Sequence, residues 1–333
     1  MPSRVHAARL LVLLSIGLSL RLALLYWTSH HNASVIWYAD APAYERMANQ
    51  AIRTGIMSLS RYPNWRLDAY RPLGYPGFLA AVYSLCGQIP TVAIALQIVL
   101  SSLTILLTYL IGKAVWNPRV GLMSAAFMCL DPASIGSCQV LHSETLFTTL
   151  LGLAILLIVR VQAAHERETY KMQPSPTVHL AWLLLAGLLV ALATHVRAIG
   201  LYLIPVLGIV VFCTPCALGH GSKLRPLASM VARQDVRFCT IHARAIRTIA
   251  FVLFPSALVG GWLAHNLVRT GQAVFYGIEG VNLLSWRAAG TLAVQQRRPI
   301  ETTQAELGFE QGWRPFDRYF AQHPGAETLS SAA

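Results

Sequence analysis

Apolar residues along this chain come in long, nearly unbroken runs instead of the alternation or helical periodicity that marks a half-buried element. Residues 8–27, 91–112, 121–138, 144–160 and 248–266 are runs of that kind, and two shorter ones occupy 179–195 and 199–214. A helix needs about 20 residues to cross some 30 Å of hydrocarbon, with a usual range of about 17–25. The pattern therefore predicts an all-α polytopic membrane protein of about seven spans. The run at 199–214 is the weakest, since a hairpin of two short helices there leaves the topology unchanged.

Composition agrees, with 55% hydrophobic and only 12% charged residues, against about a quarter charged in soluble domains. The net charge of +12 is not laid along one polar face, as nucleic-acid binding requires, so no nucleic-acid partner is expected. Lys113 and Arg119, then Arg160, Arg167 and Lys171, then Lys223, Arg225, Arg233, Arg237, Arg244 and Arg247 form three short basic connections between apolar runs. Such loops stay in the cytoplasm, which puts them on the side of Arg4 and Arg9 and predicts a cytoplasmic N-terminus.

That parity decides an ambiguous segment. If residues 72–85 crossed the bilayer, all three basic loops would face outward, so this segment is expected to be a juxtamembrane or re-entrant helix. It starts at the Pro72, Gly74, Pro76 cluster and stops at Gly87 and Pro90. Residues 28–90 then form one long extracytoplasmic loop, 139–143 a short external turn, and 267–333 an external segment, with Arg197 near the outer face. The first run is too long for a secretory signal and ends in the interfacial pair Tyr26 and Trp27, which predicts an uncleaved span. Arg21 inside it is costly in lipid and must face protein or reach outward.

The chemistry-bearing residues concentrate in the external segments. In WYADAPAYERMANQAIRTG, Trp37, Tyr38, Tyr44, Met47 and Ile52 recur at helical spacing, which predicts an amphipathic interfacial helix. Asp40 just before Pro42 suits either a helix cap or a reacting carboxylate. Arg71, in RLDAYRPLGYPG beside Asp68, offers planar bidentate donors to a phosphate, with headgroup snorkelling as the simpler role. LDPASIGSCQVLHSETLF brings Asp131, His142 and Glu144 to the outer ends of two helices, where Glu144 also suits the helix dipole. Parity places Asp40, Arg71, His142, Glu144 and Arg197 on one side of the membrane, a site by default.

Other signals are weak. Cys213 and Cys216 have CxxC spacing without a second pair, and the six cysteines read as structural. A divalent metal is a candidate cofactor, with His30, His31, His142 and Asp40 at hand, but neither adjacent nor i,i+2 spacing is a dependable ligand pattern. Asn32-Ala33-Ser34 matches the N-glycosylation acceptor motif.

The series Asp40, Tyr44, Ala48, Gly55, followed by RPLGYP (Arg71 to Pro76), resembles the GT-C membrane glycosyltransferases of the protein mannosyltransferase and lipid A aminoarabinose transferase type. QIVLSSLTILLTYLIGKAVW, SETLF, ALATHVRAIGLYLIPV and HNLVRTGQAVFYGIEGVNLL extend the similarity over roughly residues 8–290. The resemblance implies a transmembrane glycosyltransferase domain over 1–290 and a polar external tail over 291–333. It implies a sugar donor carried on a polyprenyl phosphate, a lipid, glycan or protein acceptor, and transfer at the outer face of a bacterial inner membrane. By motif match Asp40 is the catalytic base and Glu144 the second acidic position. Arg71 and Arg197, with Tyr44, Tyr75 and His142, are the donor-phosphate and substrate-binding candidates. Arg197-Ala198 and His265-Asn266 stand where relatives show Arg-Pro and Arg-Asn, and relatives run on past the position of residue 290. The alternatives are thus a shortened, inactive relative acting in envelope assembly and, further off, a transporter.

Overall fold

The computed structural model of the protein describes residues 2–31, 33–37, 40–57, 71–166, 176–213, 229–270, 273, 275–276 and 287–306. Among the described residues there are twelve α-helices, one 3-10 helix and no strand. Five helices are long and apolar enough to cross a membrane. These are α1 (Pro2–His31), α4 (Pro90–Val115), α7 (Ser143–Glu166), α8 (Pro176–Val196) and α10 (Ser229–Thr270). Their outer surfaces carry large apolar side chains: Leu11 of α1, Val99 of α4 and Ile249 of α10 are each more than half exposed. A helix hydrophobic all round belongs in lipid.

The remaining helices are shorter. The expected non-spanning segment is α3 (Gly74–Cys86), whose 13 residues reach only about 20 Å. Gly87, at φ +81°, ends it. α5 (Pro118–Leu130) and α9 (Gly200–Cys213) are apolar but below full span length. The run expected to be continuous over 121–138 is divided: α5 stops at Leu130, and α6 (Pro132–Ser137) starts afresh. Asp131 lies between them at φ −63°, ψ 113°. The cause is local, because a residue before proline is pushed out of the helical region and proline supplies no amide to the preceding turn.

A second difference concerns the first loop. Trp37 belongs to a 3-10 helix, Ala33–Trp37, and the amphipathic α2 (Ala41–Thr54) starts only after it. Tyr44 and Met47 are buried on its inner face while Ile52 stays exposed. Tyr38 and Asp68 lie outside the described residues, as do Cys216, Arg167, Lys171, Lys223 and Arg225. The polar end of the chain contains two short helices, α11 (Ala289–Gln296) and α12 (Ile300–Glu306).

The chain divides into two compact units. The first comprises residues 1–41 and 89–258. One of its cores joins α7, α8, α9 and α10 through Ala154, Ile158, Leu183, Val190, Val211 and Phe251. Another joins α4 and α5 through Ile105, Tyr109, Ala125 and Cys129, with Leu10, Leu13 and Leu14 of α1 against it. Small residues set the helix spacing: a Cβ on Gly121 would come within 2.6 Å of the Tyr109 carbonyl, and one on Gly187 within 2.1 Å of the Phe251 carbonyl. Where lipid removes the hydrophobic drive between helices, close backbone approach supplies the van der Waals attraction instead. The second unit, residues 42–88 and 259–333, buries Met47, Ala48, Tyr75, Leu79 and Tyr83.

Replacing Gly121 by Leu should separate α4 from α5 and destabilise the protein by about 1–3 kcal/mol. A lowered thermal unfolding midpoint in detergent checks this. Gly260→Ala, where a Cβ meets nothing within 4 Å, should not lower the midpoint.

Candidate functional site

The turn between α6 and α7 brings ionisable side chains of the first unit together. Ser143 opens α7, and Glu144 lies in its first turn, where the partial positive charge of the helix end favours a carboxylate. Arg197 occupies the break between α8 and α9, its amide still bonded to the Ala193 carbonyl at 2.9 Å. From there its guanidinium forms an ion pair with Glu144 and donates to Ser143 Oγ at 3.4 Å. On the other side, His142 Nδ1 contacts the second oxygen of the same carboxylate. Three of the residues singled out in the sequence, His142, Glu144 and Arg197, thus form one cluster, each between a quarter and about a third exposed.

That arrangement has chemical consequences. Glu144 Oε1 is ion-paired with Arg197 Nη1, while Oε2 lies against His142 Nδ1 and has no hydrogen bond among the described residues. Glu144 is better placed to orient His142 and Arg197 than to act alone as a base.

The segment before Asp40 is tied to the same turn through the backbone. The Leu141 amide donates to the Ile36 carbonyl at 3.3 Å, so the 3-10 helix lies against the residue preceding His142. Asp40 follows Ile36 by four residues, a reach of at most about 14 Å of chain. It is half-buried and immediately precedes α2.

Under this turn lies a cavity of about 450 Å³, whose lining includes Ser101, Asp131, Ser134, His142, Glu144 and Thr145. Ligand pockets commonly measure about 300–1,000 Å³. Ser101, Ser134 and Thr145 carry no motif, and their place in the cavity was not legible from sequence. The available signal was their polarity within or beside apolar runs.

In the second unit, Arg71 stands one turn before α3, and its guanidinium lies 5.4 Å from the centre of the Tyr44 ring, a cation–π distance. Tyr75 meets Tyr44 edge-on at 4.9 Å and stacks on Phe78 at 5.8 Å. These contacts hold Arg71, Tyr44 and Tyr75 together as the sequence grouped them. Tyr75 is fully buried, which makes it a support for Tyr44 more than a contact for ligand. Nearby, burial raises the Glu45 carboxyl above its ordinary range. Burial, and then the charge of Glu45, pushes the Tyr83 phenol up as well.

The two adjacent histidines lie at the end of α1. His30 Nδ1 lies 2.8 Å from the Tyr26 carbonyl and His31 Nδ1 3.0 Å from that of Trp27, contacts within their own helix. Among the described residues no three His, Cys, Asp or Glu side chains converge as a metal-ligand group. Cys86, Cys129, Cys138 and Cys213 are free thiols.

A raised carboxyl value in the fold means the folded chain holds the Glu45 proton more tightly than the unfolded chain does. Below the unfolded value both states are protonated and nothing is lost. As pH rises through the folded value, the fold must carry a poorly hydrated charge and loses stability. Glu45→Gln should therefore raise the thermal midpoint by about 1–2 °C at neutral pH and leave it unchanged near about pH 3.5.

Against known families, the model of dolichyl-phosphate-mannose-protein mannosyltransferase matches residues 81–267, more than half of the chain. A search of curated proteins gives no significant match.

Proposed function

Because this chain belongs to the dolichyl-phosphate-mannose-protein mannosyltransferase family, and is a multi-pass membrane glycosyltransferase, we propose that it uses a polyprenyl-phosphate-linked sugar. The acceptor is a hydroxyl of a lipid, glycan or protein at the extracytoplasmic face of a bacterial inner membrane. The observation that carries this reading is the backbone tie between Ile36 and Leu141. It brings the segment leading to Asp40 against the turn that holds His142, Glu144 and Arg197.

Asp40 is the general base. Its carboxylate takes the proton of the acceptor hydroxyl as that oxygen attacks the anomeric carbon. The bond from the anomeric carbon to the phosphate oxygen breaks, and the polyprenyl phosphate leaves with the electron pair. A phosphate is a good enough leaving group to need no general acid, only cations near its developing charge. Arg71 is the cation proposed for that phosphate, its plane fixed against Tyr44. Arg197 contributes through its ion pair with Glu144, which also lies against His142. A divalent ion, if the reaction uses one, would draw on His142 and Glu144.

Asp40→Asn removes the base while keeping the size of the side chain, and should lower sugar transfer in isolated membranes by about 10²-fold or more. Labelled polyprenyl-phosphate sugars supply the readout, with membrane insertion checked in parallel; unchanged turnover would take Asp40 out of the mechanism.

Orientation is tested separately. Reporters fused after Trp27 and after Cys86 should both read as extracytoplasmic. A cytoplasmic signal at Cys86 would mean that residues 72–85 cross the bilayer, against the proposed placement of Asp40 with the later residues.

A further inference from the structure

Arg21 lies in the first spanning helix, and none of its surface is exposed. A guanidinium does not give up its proton, and a charge at that depth is costly unless protein groups satisfy it. Nε donates to Ser101 Oγ at 2.8 Å and Nη2 to Ser134 Oγ at 2.9 Å. Nη1 donates to the carbonyls of Gly17 at 3.0 Å and Cys129 at 3.4 Å. All four acceptors are neutral. Gly17 leaves the room: a Cβ there would lie 2.5 Å from Ile105 Cδ1 and 3.4 Å from Nη1.

Ser101 and Ser134 also line the cavity beneath the external turn, so Arg21 holds its wall from behind. The same wall contains Asp131. Its Oδ2 accepts the Ser134 amide at 2.8 Å, whereas Oδ1 accepts no hydrogen bond among the described residues. Across the cavity, Thr145 is 3% exposed, and its Oγ1 is buried with no hydrogen-bond partner among the described residues. A buried hydroxyl without a partner costs about 1–3 kcal/mol and calls for an explanation.

The charges of this cavity balance. Asp131 is near enough to act electrostatically on Arg21, and Glu144 is paired with Arg197. A site with no net excess of positive charge does not select a phosphate. The lining is mostly apolar, with Ser101, Ser134, Ser137, Thr145 and Thr148 among its residues, and a spare carboxylate oxygen beside hydroxyls on an apolar wall suits a neutral ring that carries O–H groups.

We propose that this cavity is the recognition site for the sugar ring of the lipid-linked donor. Asp131 Oδ1 accepts from a ring hydroxyl, Thr145 Oγ1 bonds to another, and Arg21 is the positioning residue that keeps the Asp131–Ser134 wall in register. The assignment deepens the glycosyltransferase reading and rests on it for the identity of the ligand. Arg21 touches no substrate and acts through Ser101 and Ser134.

The test measures affinity of the purified full-length protein for undecaprenyl phosphate and for its mannosyl, glucosyl and galactosyl esters. At least one ester should bind about 10–100-fold more tightly than the bare carrier, since a site built to bond hydroxyls penalises a ligand that lacks them. Asp131→Asn keeps an acceptor for the Ser134 amide, and Thr145→Val keeps the side-chain shape, so both should fold. Each should lower that ratio about tenfold while leaving affinity for the bare carrier unchanged. Arg21→Lys should retain more of the ratio than Arg21→Met, because the ammonium keeps the charge and still supplies N–H donors.

No preference for any ester, or a ratio unmoved by both Asp131→Asn and Thr145→Val, overturns the assignment. Failure of the enzymatic reading looks different. A wild-type protein that shows the sugar preference, loses it in the variants and transfers no sugar to any acceptor refutes the transferase proposal and leaves this one standing. One that transfers sugar with its ratio unmoved does the reverse.

Discussion

A guanidinium that cannot lose its charge, set in a helix surrounded by hydrocarbon, must find its partners inside the protein. The hydrogen bonds of Arg21 connect α1 to Ser101 of α4, to the last turn of α5 and to Ser134 of α6. Gln139 adds to the connection, donating from Nε2 to the Arg21 carbonyl at 3.0 Å, and Gln97 holds the Val140 carbonyl at 2.7 Å. In water such bonds exchange with solvent at little net gain. In a dry interior an unmet group costs far more, so the set is satisfied together or the segment moves. The result is a wall made from a proline-broken helix, held by side chains that no helix requires for its own formation.

The position of the catalytic candidates follows from that wall. Residues 138–142 are anchored beneath by Gln97 and above by the Ile36 carbonyl. His142 and Glu144 continue directly from the anchored stretch, and the ion pair with Arg197 recruits the junction of α8 and α9. An ion pair only partly buried adds modest stability. Its larger effect is on geometry, because it spends an arginine and a glutamate on each other and leaves His142 oriented by a carboxylate.

The pattern of apolar runs carried the architecture well. Charge parity keeps residues 72–85 from spanning, and α3 there has 13 residues. The family resemblance agrees with the match over residues 81–267, which includes SETLF but not Asp40, Tyr44 or the Arg71 to Pro76 string. Two local details escaped the pattern. The 121–138 run reads as continuous because hydropathy ignores backbone preference, although Asp131-Pro132 already encoded the break. Trp37 fits the helical spacing of α2 yet lies in a separate 3-10 helix, since an apolar side chain can be buried from either conformation.

Membrane insertion and the family follow from properties summed over many residues, and such sums survive ignorance of which residues touch; the expected seven spans are five full-length helices and two shorter ones among the described residues. The demand that Arg21 face protein was likewise written in one residue's chemistry. Its partners were not, because Ser101 and Ser134 are ordinary hydroxyls 80 and 113 residues away. Nor could sequence reveal that the Thr145 hydroxyl has no hydrogen-bond partner among the described residues or that Glu144 pairs with Arg197. Those facts depend on which helix faces cross at which height, a matter of packing between distant segments that no local pattern encodes.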